Sequence, residues 1–125
     1  MRIVIRAGVE ELAAELIETR LAERIFKLLP LKAMVRRWGD EVYFPIDLEQ
    51  RPEKKQVEME RGDLAFWSEG GAFCIFFGPT PAGASGEIRA AAPVEVFGRL
   101  LTDDYTALKG LSDGDQIKVV GLDKA

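Results

Sequence analysis

The sequence predicts a mainly β fold, a barrel or a sandwich. Short runs rich in β-branched and aromatic residues recur along the chain, with glycine, proline and aspartate between them, a pattern typical of all-β proteins with many short strands. The predicted strands are 2–6, 41–46, 62–67, 72–77, 94–101 and 116–122. A chain of 125 residues is close to the commonest domain size and is long enough to bury one core. We therefore expect residues 1–125 to form one domain.

Turn-forming residues bound these strands. The first strand ends at Ala7-Gly8, and the apolar run 72–77 lies between Gly70-Gly71 and Gly78-Pro79. Such residues supply the backbone angles that turns need. Asp113-Gly114-Asp115 marks a turn in the same way before the last strand. Asp40-Glu41 is interpreted as a turn between strands.

Residues 9–29 fit two descriptions. The near-helical spacing of their large apolar side chains predicts one long helix (Leu12, Leu16, Leu21, Ile25 and Leu28). In the second description residues 12–18 form a strand, and Thr19 caps a helix over 20–29 that Pro30 closes. Propensity alone favours the single helix.

Two further segments complete the chain. Residues 78–92 are rich in glycine, proline and alanine, which predicts a loop between strands. A second short helix is expected over Asp104–Lys109, with Asp103-Asp104 as its cap.

Composition excludes several classes of function. The chain has no histidine and a single cysteine, Cys74, so Cys/His zinc sites and hydrolases with a histidine base are ruled out. A net charge of −4 argues against nucleic-acid binding, which needs clustered excess cations. No apolar run approaches the roughly 20 residues of a membrane span, and Met1–Ala7 is too short and too charged for a signal peptide. We expect a cytoplasmic protein without a cofactor, a metal site, a nucleic-acid partner or a membrane partner.

Several segments resemble cyclophilins. Gly62–Trp67 followed by Gly71–Phe77 is similar to two adjacent cyclophilin strands, and Val94–Leu100 is similar to the strand after them. Thr19–Leu29 resembles a cyclophilin helix that directly follows a strand. This resemblance favours the strand, Thr19 cap and helix over the single long helix.

A closer resemblance is to a compact bacterial and archaeal cyclophilin-like family of unassigned function. Three motifs carry it, in order along the chain: Trp38-Gly39-Asp40-Glu41-Val42-Tyr43-Phe44, then Gly62–Trp67, then Cys74–Pro81. The resemblance implies a cyclophilin-like closed barrel of about eight strands with two short helices.

The resemblance also implies that the isomerase site is degenerate. Cyclophilins isomerise prolyl peptide bonds with an arginine, a glutamine, an aromatic floor and a histidine. Ala72, Cys74 and Val94 stand at the glutamine, floor and histidine positions, and only Arg36 or Arg37 remains as the arginine. Prolyl isomerase activity is therefore expected to be weak or absent, and no catalytic residue is assigned.

Alternation along 72–77 predicts two faces. Phe73, Ile75 and Phe77 are expected to fill the barrel, whereas Ala72, Cys74 and Phe76 line or floor the groove. Cys74 is interpreted as a small buried apolar side chain, because no cation is evident nearby to activate a thiol.

A group of aromatic residues has two interpretations: Trp38, Tyr43, Phe66 and Trp67. The group either plugs the barrel or contributes to an apolar pocket in the groove. In the second case the ligand-binding residues are Arg36, Arg37, Tyr43, Trp67, Cys74 and Phe76, with one arginine orienting an anionic or carbonyl group.

The leading hypothesis for function is a module that binds a peptide or small molecule without turning it over. One alternative is a weak or atypical prolyl isomerase. The other is a structural domain that forms a homodimer through the edge near 78–92, so that the expected state is a monomer or a homodimer.

Overall fold

The structure, a computed structural model, describes residues 1–122. In chain order these form β1 (Arg2–Ala7), β2 (Glu10–Leu16), α1 (Arg20–Leu28), β3 (Leu31–Met34), β4 (Arg36–Trp38), β5 (Glu41–Pro45), β6 (Gln56–Glu58), β7 (Asp63–Trp67), β8 (Ala72–Phe76), β9 (Arg89–Leu100), α2 (Thr106–Lys109) and β10 (Gln116–Gly121). The predicted mainly β class with two short helices is confirmed. No helix within 1–122 is long and apolar enough to cross a membrane.

The strands form one strongly bent antiparallel sheet in the order β3-β10-β1-β2-β9-β7-β8-β5-β4, with β6 paired to β9 beside this path. It has ten strands rather than about eight, and hydrogen bonds do not close it into the expected barrel. Its two edge strands, β3 and β4, are separated in the chain by Val35 alone. Val35 N–H donates to Asp115 O at 2.9 Å, and its carbonyl accepts from Gly114 N–H at 2.8 Å. The two edge strands β3 and β4 are therefore connected through the backbone at Val35, although no hydrogen bonds pair them with each other.

The main core lies inside this bend. Phe73 is stacked on Phe44 with ring centroids 4.8 Å apart and meets Phe97 edge-on at 5.0 Å. Helix α1 covers the core with Leu21, Ala22 and Ile25. Its cap is the predicted one, since Thr19 Oγ1 accepts from Ala22 N–H at 3.2 Å. The strand–cap–helix interpretation of residues 9–29 is confirmed.

A second apolar cluster lies on the outer face of the sheet. Its fully buried members are Met59, Ala65, Ala72, Cys74, Phe76, Ala90 and Val94. Phe73, Ile75 and Phe77 belong to the inner core instead, so the predicted alternation along 72–77 is confirmed. Strand β8 is therefore buried on both faces.

The cover over the outer face comes from a segment that was expected to be a loop. Strand β9 begins at Arg89, five residues before the predicted start at Val94. The prediction began this strand after Pro93, because proline argues against a strand interior. Proline is tolerated here because the first half of β9 pairs only with the short strand β6, at Glu58 and Gln56.

The second helix is shorter than predicted. It begins at Thr106, and its N-cap Tyr105 makes no side-chain capping bond. Asp104 accepts instead from the N–H of Thr106 at 3.1 Å and from its hydroxyl at 2.7 Å. Asp104 thus satisfies a backbone donor from outside the helix, and Asp103 takes no part in the cap.

Arg37 ties α2 to the turn between β4 and β5. Its guanidinium donates to the carbonyls of Lys109 at 2.8 Å and Leu111 at 2.9 Å, and to Asp40 Oδ1 at 3.0 Å. It also lies 5.2 Å from the ring centroid of Phe77. Carbonyls at the end of a helix have no partners within the helix, so this one side chain satisfies acceptors at the C-terminus of α2. Arg37 is therefore a structural residue.

The neighbouring arginines provide a matched test of this role. We expect Arg37→Met to lower the free energy of unfolding by about 2–3 kcal/mol, because carbonyls and a carboxylate lose a charged donor. Arg36→Met, at an exposed position, should change it by less than about 0.5 kcal/mol. Urea denaturation of both variants measures the difference. Equal and small losses would contradict the structural role of Arg37.

Candidate ligand-binding site

Strand register assembles a group of side chains on the outer face of the sheet. Residues directly opposite each other in antiparallel strands point to the same side. Glu41 lies opposite both Trp38 and Phe76, which forms one row. The next row contains Tyr43 and Cys74, which are also direct partners. Trp67, opposite Ala72, belongs to the following row.

These rows line one side of a cavity of about 180 Å³. Its walls combine aromatic, small apolar and acidic side chains: Trp38, Glu41, Tyr43, Trp67, Cys74, Phe76, Ala90, Ala91, Ala92 and Val94. Drug-sized ligands occupy about 300–1,000 Å³, whereas an apolar cavity of about 150 Å³ accepts benzene. The cavity therefore fits a group of the size of one ring or one side chain.

Glu41 places a carboxyl group in this apolar surrounding. The residue is 7% exposed, and burial raises its pKa to about 7, against a smaller opposing effect of a hydrogen bond with the Cys74 thiol. Within 1–122 its carboxylate forms no ion pair. The guanidinium of Arg37 is bonded to Asp40 instead. When Glu41 ionises, its charge therefore has no counter-ion from the described part of the chain.

Cys74 is a buried thiol on the floor of the cavity. Burial, followed by the negative charge of Glu41, raises the pKa of the thiol well above its ordinary value. Its Sγ also lies 3.8 Å from the Ala72 carbonyl oxygen, a second acceptor for the one S–H proton. Since the thiolate is the nucleophilic form, this environment suits a small packing side chain and disfavours nucleophilic chemistry.

Trp67 contributes an unused hydrogen-bond donor. Its indole Nε1 is buried and has no partner in the described residues. The ring lies directly over Gly70, where an added Cβ would overlap it. A buried donor without a partner is rare in folded proteins.

Of the six predicted site residues, the structure brings Tyr43, Trp67, Cys74 and Phe76 together around the cavity. The two arginines are not among the lining residues. Arg36 is exposed and lies opposite Tyr43, on the same face of the sheet. The prediction that either arginine reaches a ligand is not supported for Arg37, whose guanidinium is held at α2.

The four aromatic residues predicted either to plug the barrel or to line a pocket do not all lie in one place. Phe66 lies in the inner core, whereas Trp38, Tyr43 and Trp67 line the outer cavity.

Sequence reasoning missed Glu41 and the alanines 90–92. The prediction placed Glu41 both in a turn with Asp40 and at the start of the strand 41–46, and gave it no part in the site. It is the first residue of β5, as the strand prediction has it, and the turn consists of Gly39 and Asp40. The signal available was its spacing of two from Tyr43, which puts both side chains on one face of a strand.

Within 1–122, no group of three or more acidic, cysteine or histidine side chains is placed to hold a metal ion.

Comparisons with known proteins identify relatives of the fold. A family model described as cyclophilin-like matches residues 1–120. The solution structure of a hypothetical protein from Archaeoglobus fulgidus is 38% identical, with a TM-score of 0.76 over 96% of this chain and 93% of that chain. No curated protein matches the chain. None of these matches brings an activity with it.

The position of Trp67 depends on the absence of a side chain at Gly70. We expect Gly70→Ala to displace the indole, to move its fluorescence emission to longer wavelength and to lower the free energy of unfolding by about 1–2 kcal/mol. The measurement uses a Trp38→Phe background, so that Trp67 is the single tryptophan.

Gly110→Ala is the matched control, since a Cβ there meets its nearest atom at 3.6 Å, an ordinary contact. Unchanged emission in Gly70→Ala would show that the indole does not rest on this turn.

Proposed function

This chain belongs to the cyclophilin-like family, and we propose that it is a binding module that holds a small molecule, or one side chain of a peptide, without turning it over. The observation that carries the proposal is an apolar cavity whose lining includes, in the described part of the chain, a buried carboxyl group without a counter-ion and a tryptophan whose buried N–H has no acceptor. Within residues 1–122, the Glu41 carboxylate forms no ion pair and the Trp67 indole N–H has no acceptor. Buried polar groups without partners destabilise a fold, and a ligand would supply the partners.

The position of the cavity supports the same proposal. Cys74 and Val94 line it, and Ala72 belongs to the same outer cluster. These are the residues that the resemblance places at the catalytic positions of the isomerase groove. The resemblance therefore implies that the cavity corresponds to that groove, with apolar side chains where the catalytic ones would be.

A residual prolyl isomerase is the second candidate, and one observation favours it. Arg36 lies opposite Tyr43, and its exposed side chain makes no ion pair or hydrogen bond within the described residues. It is therefore free to approach a peptide amide at the cavity. Against this candidate, the aromatic floor and the histidine are replaced by Cys74 and Val94.

A homodimer through residues 78–92 stays a prediction. Residues 90–92 of that segment line the cavity, so a partner chain covering them would restrict access to it.

The binding proposal is tested by titrating the protein with small neutral probes and following backbone amide shifts by NMR. The probes are benzyl alcohol, 3,3-dimethylbutan-1-ol and an acetylated Ala-Pro amide. We expect saturable shifts at cavity residues for at least one probe. Ala92→Phe should abolish them by filling the cavity, whereas Ala13→Phe, on β2, should not.

The same samples test the isomerase candidate. We expect the cis–trans exchange rate of the Ala-Pro probe to be unchanged by the protein. Acceleration that disappears in Arg36→Ala would replace the binding proposal with an isomerase. If no probe gives saturable shifts at the cavity up to its solubility limit, the binding proposal is wrong.

A further inference from the structure

The geometry points to a small organic cation of the alkylammonium class as the ligand, with its ammonium group beside Glu41 among the aromatic side chains of the cavity. This inference rests on the proposed function, since it assumes that the cavity binds a ligand. It adds the sign of the ligand's charge and the group that recognises it.

The first support is the surrounding of the carboxylate. Glu41 has an aromatic partner on each neighbouring strand, Trp38 on β4 and Phe76 on β8, and Tyr43 follows two residues along its own strand. All three line the cavity with it. Aromatic rings attract a cation held over their faces, and desolvation strengthens this attraction. A neutral or anionic ligand gains nothing from it.

The second support is the absence of a cation in the described chain that could serve Glu41. The other titratable side chains lining the cavity are the Cys74 thiol and the Tyr43 hydroxyl, and neither group carries a positive charge. Arg37 lies opposite Val42, on the inner face of the sheet, and its guanidinium is bonded to Asp40. Arg36 points to the same face but is exposed and unbonded. A buried carboxylate needs a paired charge, and a cationic ligand would provide it.

The third support is the size of the cavity. A cavity of about 180 Å³ accommodates a substituted ammonium group but not a nucleotide or a large cofactor.

Three probes of nearly equal shape and different charge test this inference. They are 2-hydroxyethyl-trimethylammonium, its neutral carbon analogue 3,3-dimethylbutan-1-ol, and the anion 3,3-dimethylbutanoate. At pH 8, where Glu41 is mainly ionised, we expect the cation to bind about tenfold or more tightly than the neutral alcohol. Its affinity should fall as the pH is lowered to 5.5, because Glu41 takes up a proton, while the affinity of the alcohol should stay constant.

The Glu41→Gln variant tests whether the charge of Glu41 causes the preference for the cation. It keeps the shape of the side chain, so the neutral alcohol should bind it as it binds the parent, which also reports that the variant is folded. The preference for the cation should disappear. Arg36→Gln is the matched control and should leave the affinity for the cation unchanged or increased, since it removes a like charge from the same face.

The outcomes separate this inference from the proposed function. Equal affinity for the cation and the alcohol would overturn the inference and leave the binding module intact. A preference for the anion that is lost in Arg36→Gln would overturn it in favour of an anionic ligand. If none of the three probes binds at the cavity, the inference is overturned, and the proposed function loses support with it.

Discussion

The burial of β8 on both faces is the constraint on which the rest of the structure depends. Phe73 and Ile75 pack into the bent sheet, while Cys74 and Phe76 lie under the first half of β9 on the outside. A strand with two apolar faces is stable only when both are covered. The chain therefore has to supply a second cover, and its small side chains at 90–92 leave a cavity over this part of the sheet.

The burial of Glu41 beside the cavity lowers the free energy of unfolding when its carboxyl group is ionised. Its pKa rises from 4.5 to about 7 on folding, so the folded protein holds this proton more tightly than the unfolded chain does. The contribution of Glu41 to the free energy of unfolding is therefore most favourable below pH 4.5, and it is lost as the pH rises through 7. Since one pKa unit corresponds to about 1.4 kcal/mol, the loss at higher pH is about 3 kcal/mol. Burial of this carboxylate therefore lowers stability at neutral pH, and a cationic ligand beside it would offset that effect.

The sequence predicted the parts of this architecture that depend on local patterns. The alternation in 72–77 and the cap at Thr19 follow from strand geometry and from capping chemistry, and both are observed. The short strands β3, β4 and β6 carry no such pattern, because their pairing comes from partners distant in the chain. Arg37 illustrates the same limit, as its acceptors at Lys109 and Leu111 lie more than 70 residues away. Four of the six predicted site residues meet at the cavity. Glu41, which lines it with them, was not among the six, because the prediction gave it no role beyond a turn and a strand end.

The carboxyl group of Glu41 is the part of the site most directly open to measurement. Its side-chain carboxyl carbon, labelled with ¹³C and assigned with the Glu41→Gln variant, reports the titration of this single group by NMR. We expect a midpoint near pH 7, and a lower midpoint when 2-hydroxyethyl-trimethylammonium is present in excess. A midpoint near the ordinary value of 4.5 would show that the carboxylate is solvated or already paired, and would contradict the existence of an uncompensated charge in this cavity.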